Sequence, residues 1–239
     1  MGERRRVDGE PAYVLHAYPF RETSLIVDVF SRNFGRVAVM ARGARRPRSA
    51  LRGLLMAFQP LEVGWAGKGE VLTLMKAEWQ GGQAVLGGEA LFCGYYLNEL
   101  LLHLLPREDA HEALFDHYAR TLRHFSTGVD QGALRLFEKA LLQELGYGLT
   151  LEHDAEGRPV HADALYVYEV ERGPLPAPSA AGDSPWCVSG QTLLDLAAGQ
   201  LATAQALAES KLLMRALINH YLAGQQLTTR RIFMDLQEL

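Results

Sequence analysis

Between residues 81 and 89 the hydrophobic period of the chain changes, and that change limits the possible folds more than any single motif. Before it, short runs rich in β-branched and aromatic residues alternate with turn residues. Ala12 to His16, Ser24 to Phe30, Arg36 to Ala41, Leu61 to Trp65 and Val71 to Ala77 each read as a strand. Asn33-Phe34-Gly35 and Gly67-Lys68-Gly69 supply turn chemistry between them. Five short strands in about 80 residues predict a small barrel, because closure removes exposed strand edges. The five-stranded member of that group is the OB-fold, which commonly binds nucleic acid.

After Gly81, Gly82, Gly87 and Gly88 the apolar residues recur at helical spacing. Helices are expected over Glu89 to Leu105, Glu108 to Phe125 and Gln131 to Leu145, with Gly146 as a left-handed stop. Residues 150–188 break the pattern: His161 to Glu171 reads as one strand of a small hairpin, and 173–185 as a Pro/Gly/Ala/Ser loop. Helices resume at about 190–198 and 205–223, and a last one starts at Thr229. The expected class is therefore α+β: an OB-fold barrel over residues 1–80, then a mainly helical domain over 81–239 with an irregular insertion at 150–188.

Charge divides along the same line. Residues 1–80 hold 13 Lys and Arg against 8 Asp and Glu, whereas the remainder holds 11 against 20. Seven arginines, Arg32, Arg36, Arg42, Arg45, Arg46, Arg48 and Arg52, follow one another without an acidic residue between them. Arginine forks onto phosphate oxygens and stacks on bases, so such a run points to nucleic acid or to an acidic protein. Tyr18, Phe20, Phe34 and Phe58 lie close enough in sequence to offer stacking surfaces. Arg36, Arg42, Arg45, Arg46, Arg48, Arg52 and Phe34 are the candidate DNA-binding residues. Lys211, Arg215, Arg230 and Arg231 form a second basic cluster, read as solvated charge or as support for a leaving strand.

Enzyme chemistry is not signalled. The chain has no G-x-G-x-x-G, Walker A, G-x-S-x-G or H-E-x-x-H pattern, and no catalytic residue or cofactor is assigned. Two cysteines exclude a disulfide scaffold and a four-cysteine zinc site. His153, Asp154, His161, Asp163 and Cys187 fit no zinc spacing, and no metal is expected. Leu91 to Leu105 is too short, and too interrupted by Asn98, Glu99 and His103, to span a membrane. The charged start lacks a following apolar run, so a cytoplasmic protein is expected, with nucleoid association only if the arginine run binds DNA.

Ordered matches across nearly the whole chain resemble the RecO family of bacterial recombination mediators. They begin with Tyr18-Pro-Phe-Arg-Glu-Thr-Ser-Leu-Ile-Val-Asp-Val-Phe30, Gly35-Arg-Val37, Arg42-Gly-Ala-Arg-Arg-Pro-Arg-Ser49, Pro60-Leu61 and Gly69-Glu-Val-Leu-Thr-Leu74. They continue with Tyr96 to Leu102, Leu134-Arg-Leu-Phe-Glu-Lys-Ala-Leu-Leu142, Leu145-Gly-Tyr147, Ser210 to Ile218, Tyr221 to Gly224 and Leu227 to Arg230.

The resemblance implies an OB-fold, a helical domain, and binding to single- and double-stranded DNA. It also implies annealing of complementary strands and loading of RecA. Implied partners are RecR and the acidic, hydrophobic C-terminal tail of single-stranded-DNA-binding protein. Arg135 and Lys139 are the candidates for that tail, with a surface charge near Glu138 as the plainer role of Arg135. Many members carry a four-cysteine zinc module in the insertion. Here His153 stands near the first cysteine position and only Cys187 remains, so packing of Tyr166, Tyr168 and Trp186 is expected to hold the segment. Two rival readings are an RNA-binding OB-fold factor and a metal-dependent nuclease built on the insertion.

Overall fold

The computed structural model describes residues 5–177 and 184–237 of the chain. Five strands close into a barrel in the order β1-β2-β3-β5-β4: β1 (Arg5–Phe20), β2 (Ser24–Ser31), β3 (Gly35–Ala41), β4 (Leu61–Gly67) and β5 (Val71–Trp79). All pairs are antiparallel except β3 with β5. This is the connectivity of an OB-fold. Its interior is filled by Val14, Val27, Val29, Val37, Val39, Leu61, Val63, Trp65 and Leu72.

The first strand is far longer than the expected Ala12 to His16. Asp8-Gly9-Glu10-Pro11 forms a bend inside one strand. Residues 5–12 pair with β4, residues 12–20 pair with β2, and the register shifts between Val7 and Glu10. Gly9, at φ +72°, takes the left-handed conformation that the bulge requires. Glu10 is buried there, and its carboxylate accepts from the backbone N–H and side-chain amide of Asn33, at 2.7 and 3.0 Å. That contact fixes the β2–β3 turn.

A short helix, α1 (Leu51–Leu54), was not anticipated; it lies in the connection from β3 to β4 and packs beside β5. Two long helices follow, α2 (Gly88–Leu104) and α3 (Glu112–Phe125). The latter starts later than expected because residues 106–109 lie against β3 instead. Glu108 has φ +57° and its N–H donates to the Arg36 carbonyl at 3.0 Å. At Gly35 a Cβ would sit 1.7 Å from the Asp109 carbonyl oxygen, so only glycine permits this approach.

The compact units do not divide near residue 80. One comprises Met1–Val129 with Leu227–Leu239, and the other Asp130–Gln226. Helices α2 and α3 join the barrel because their apolar stripes meet it. Phe115 and Tyr118 of α3 pack edge-on or tilted against Tyr13 and Phe30, with centroids 5.1–5.9 Å apart. Asn98 of α2 is the buried polar link: its amide donates to the Leu15 carbonyl at 2.9 Å and accepts from the Tyr118 hydroxyl at 2.5 Å. Leu15 is the extra residue where the β1–β2 register shifts, so its carbonyl is available. The last helix, α7 (Thr228–Gln237), packs on α2.

The second unit contains α4 (Gln131–Glu144), α5 (Gly190–Ala198), α6 (Ala204–Tyr221) and a three-stranded sheet. That sheet has the order β7-β6-β8, with β6 (Leu165–Glu169), β7 (Gly173–Pro176) and β8 (Cys187–Ser189). The expected loop at 173–185 therefore begins and is followed by strands, and its residues 178–183 lie outside the described residues. Tyr166 and Tyr168 are buried and Trp186 is half-buried, so the aromatics do pack the segment. Side chains cap the helices of this unit: Asp130, Ser189 and Thr203 accept from the backbone N–H groups three residues on. No described helix is long and apolar enough to cross a membrane.

Candidate nucleic-acid interface

The arginine run does not act as one patch. Its spread is set by β3, which is seven residues long and therefore about 20 Å from end to end. The connection after Ala41 is pinned to the barrel by buried Ala44 and Leu55 and by half-buried Leu51. Successive turns then present the polar residues outward. Arg46 N–H donates to the Gly43 carbonyl, Ser49 N–H to Arg46, and Arg52 N–H to Ser49, at 3.0–3.2 Å. Arg45 reaches the β1–β2 turn, its backbone N–H donating to the Thr23 carbonyl at 2.9 Å and its guanidinium to the Arg21 carbonyl at 3.1 Å. Arg42, Arg45, Arg46, Arg48 and Arg52 are all exposed, and none forms an ion pair among the described residues. Five uncompensated cations on an anchored loop make a strong local field for a polyanion.

The other members of the run behave differently. Arg32 is spoken for: it pairs with Glu112 at 2.6 Å and Asp116 at 3.2 Å, both on α3. Arg36 turns partly inward and donates to the Leu102 carbonyl. Burial, and then the positive charge of Arg107, push its pKa below the usual guanidinium value. Phe34 sits at the far end of β3 from Arg42, half-exposed, with its ring edge-on to Trp65 at 5.5 Å. It is therefore not part of the arginine loop. Phe58 is buried at 3 % exposure and offers no stacking surface. Tyr18 remains exposed, and Phe20 is covered by the Arg21 guanidinium at 5.2 Å.

Arg36 instead lines an open cleft of about 490 Å³ with Arg5, Lys68, Arg107, Glu70 and Glu108. Glu108 pairs with Arg5 at 2.6 Å, and Arg107 pairs with buried Asp28 at 3.0 Å. Lys68 stands in the β4–β5 turn, where Gly67 and Gly69 have φ +151° and +85°. Arg5, Lys68 and Arg107 were not singled out from sequence. They are isolated charges there, and only the fold gathers them around Arg36.

In the second unit, Arg135 is buried rather than a surface charge. Its guanidinium meets Glu138 at 3.1 Å, with side-chain exposures of 7 % and 0 %. Its Nε has no hydrogen-bond partner among the described residues. Lys139 is also engaged: its ammonium donates to the Leu196 and Ala197 carbonyls at 2.9 and 2.8 Å, closing the C-terminal end of α5. Burial lowers its pKa. In the insertion, Asp154 accepts from the backbone N–H groups of Glu156 and Arg158, each at 2.9 Å, and from the Arg158 guanidinium at 2.8 Å. No three His, Cys, Asp or Glu side chains among the described residues converge as metal ligands.

A closed five-stranded barrel of this order, with five exposed arginines on the connection from β3 to β4, defines an OB-fold module. Residues 9–82 match the family described as Recombination protein O N terminal, and residues 87–231 match Recombination protein O C terminal. The chain is 62 % identical over 243 residues to the DNA repair protein RecO of Dechloromonas aromatica, covering all of both chains. It is 57 % identical to the protein of the same name from Azoarcus sp. and 55 % to that of Aromatoleum aromaticum, again over the full length of each. The chain belongs to the RecO family.

Proposed function

We propose that this protein is a recombination mediator of DNA repair that acts without covalent chemistry. It binds single- and double-stranded DNA, anneals complementary strands and helps load RecA onto DNA covered by single-stranded-DNA-binding protein. The observation that carries the reading is the set of five exposed, unpaired arginines between Arg42 and Arg52, in a chain whose relatives are named DNA repair proteins. Each arginine that meets a phosphate displaces condensed counterions. Strands that repel one another are thereby brought close enough to pair.

RecR and the acidic tail of single-stranded-DNA-binding protein are the proposed protein partners. The unpartnered Arg135 Nε supports a carboxylate acceptor at α4. Arg135 and Lys139 would have to loosen Glu138 and the α5 carbonyls to take it. The test of the main reading is strand annealing followed by fluorescence. The protein is expected to speed pairing of complementary oligonucleotides, and a triple Arg42→Ala, Arg45→Ala, Arg46→Ala variant to lose about tenfold of that rate. Preferential displacement by RNA would instead favour an RNA-binding OB-fold factor.

A further inference from the structure

Trp79 is a tryptophan in an unusual place. It closes β5, 56 % exposed, whereas Trp65 on the neighbouring strand is 2 % exposed in the barrel core. Tryptophan is costly to leave in water unless its face has a partner. The ring contacts no other aromatic ring among the described residues, yet it is held in place: its Nε1 donates to the Gln59 side-chain carbonyl at 3.2 Å. The backbone on either side is fixed as well, since Leu61 pairs with Trp79 and Gln80 N–H donates to the Pro60 carbonyl at 3.0 Å.

Gln59 belongs to the same β3–β4 connection that carries the exposed arginines. The topology explains why one connection serves both features. Strands β3 and β5 run parallel, with Met40 beside Thr73, so the C-terminal ends of both point the same way. The connection leaves β3 at that end, passes α1 beside β5, and enters β4 opposite Trp79. Met56, 48 % exposed, lies on the same stretch, and Met75, 63 % exposed, on β5 itself. An exposed, oriented π-face thus stands at the end of β5, held by the same connection whose earlier part carries the exposed arginines.

We propose that Trp79 is a base-stacking platform that makes this rim prefer single strands over duplex. The inference rests on the DNA-binding reading above. Phosphates of a single strand would lie on Arg42 to Arg52, and an unpaired base would stack on the indole. A base inside a duplex is already stacked on both faces and cannot reach the ring. The occupant is a nucleic-acid strand and not an apolar protein face, because the connection that holds the indole carries five exposed arginines and no acidic residue from Arg42 to Pro60, while nearby Glu62 and Glu78 are engaged by Lys76.

The experiment uses the full chain with Trp79→Ala and Trp79→Phe, each checked for an unchanged melting temperature. Anisotropy titrations compare oligo-dT, an abasic strand of equal length, and duplex DNA. Wild type is expected to bind oligo-dT about tenfold more tightly than the abasic strand, and Trp79→Ala to lose that difference while duplex affinity stays within twofold. Trp79→Phe should retain most of the preference. Oligo-dT should quench wild-type tryptophan emission, and the Phe variant should remove the quench. Equal losses on dT, abasic strand and duplex, or an unchanged dT preference in Trp79→Ala, would overturn the stacking role alone. A wild type that binds none of the three DNAs overturns the DNA-binding reading and this one with it.

Discussion

Asn98 shows how much can rest on one side chain. It joins α2 to the bulged strand β1 and to α3, and it is 2 % exposed. Asn98→Ala would remove the buried hydrogen bonds to the Leu15 carbonyl and from the Tyr118 hydroxyl, a loss of about 3 kcal/mol. Urea denaturation measures it; a loss below about 1 kcal/mol would contradict the role. Gly94 poses an opposite conflict. Alanine is the better helix former by about 1 kcal/mol, but a Cβ there would meet Phe58 at 2.9 Å and Leu86 at 3.0 Å. Phe58 is buried with φ +67° and has little freedom to retreat. Gly94→Ala is therefore expected to destabilise by about 1–2 kcal/mol, since overpacking outweighs propensity. Arg135→Ala should cost about 3 kcal/mol by breaking its buried ion pair with Glu138. Partner-binding measurements on that variant therefore need a stability measurement beside them.

Among the elements, α7 is attached at its start by a charged device. Glu99 of α2 accepts from the backbone N–H of Thr228 at 2.7 Å and from the N–H and hydroxyl of Thr229 at 3.0 and 2.5 Å. These are orphan donors at the start of α7, where a negative charge is favoured. Burial alone would raise the Glu99 pKa, but the threonine hydrogen bonds outweigh it and hold the carboxyl below its ordinary 4.5. A depressed acid stabilises the fold above its unfolded pKa and loses that contribution as pH falls through the folded value. The Thr228 and Thr229 amide resonances should titrate together with a midpoint below 4.5; a midpoint at or above it would contradict the attachment. The polar residues that interrupt the α2 pattern in sequence, Asn98 and Glu99, are thus its two anchoring groups. Strand and helix periods were legible because each is local. Three features were not. A bulge at Gly9 looks like a turn, β7 hides in Pro-rich sequence, and an apolar stripe on α2 or α3 does not reveal which surface it will cover.

For the molecule as a whole, charge was more legible than geometry. The arginine run was read as a polyanion surface, and five of its seven members are exposed. Arg32 and Arg36 are withdrawn by Glu112, Asp116 and the Leu102 carbonyl, groups about 65 or more residues away in sequence that no reading of the run could supply. Phe34 stands at the far end of β3 from Arg42 and Phe58 is buried, placements that the sequence did not show, and the exposure of Trp79 at the end of β5 was not legible either. On the proposed function, the arginine loop rather than the other basic clusters holds the DNA backbone. The most direct measurement is single-strand affinity as a function of salt for wild type and the Arg42→Ala, Arg45→Ala, Arg46→Ala variant. Removing three phosphate contacts should weaken binding and reduce the steepness of log K against log salt by about 2. An unchanged affinity and an unchanged slope would contradict the account.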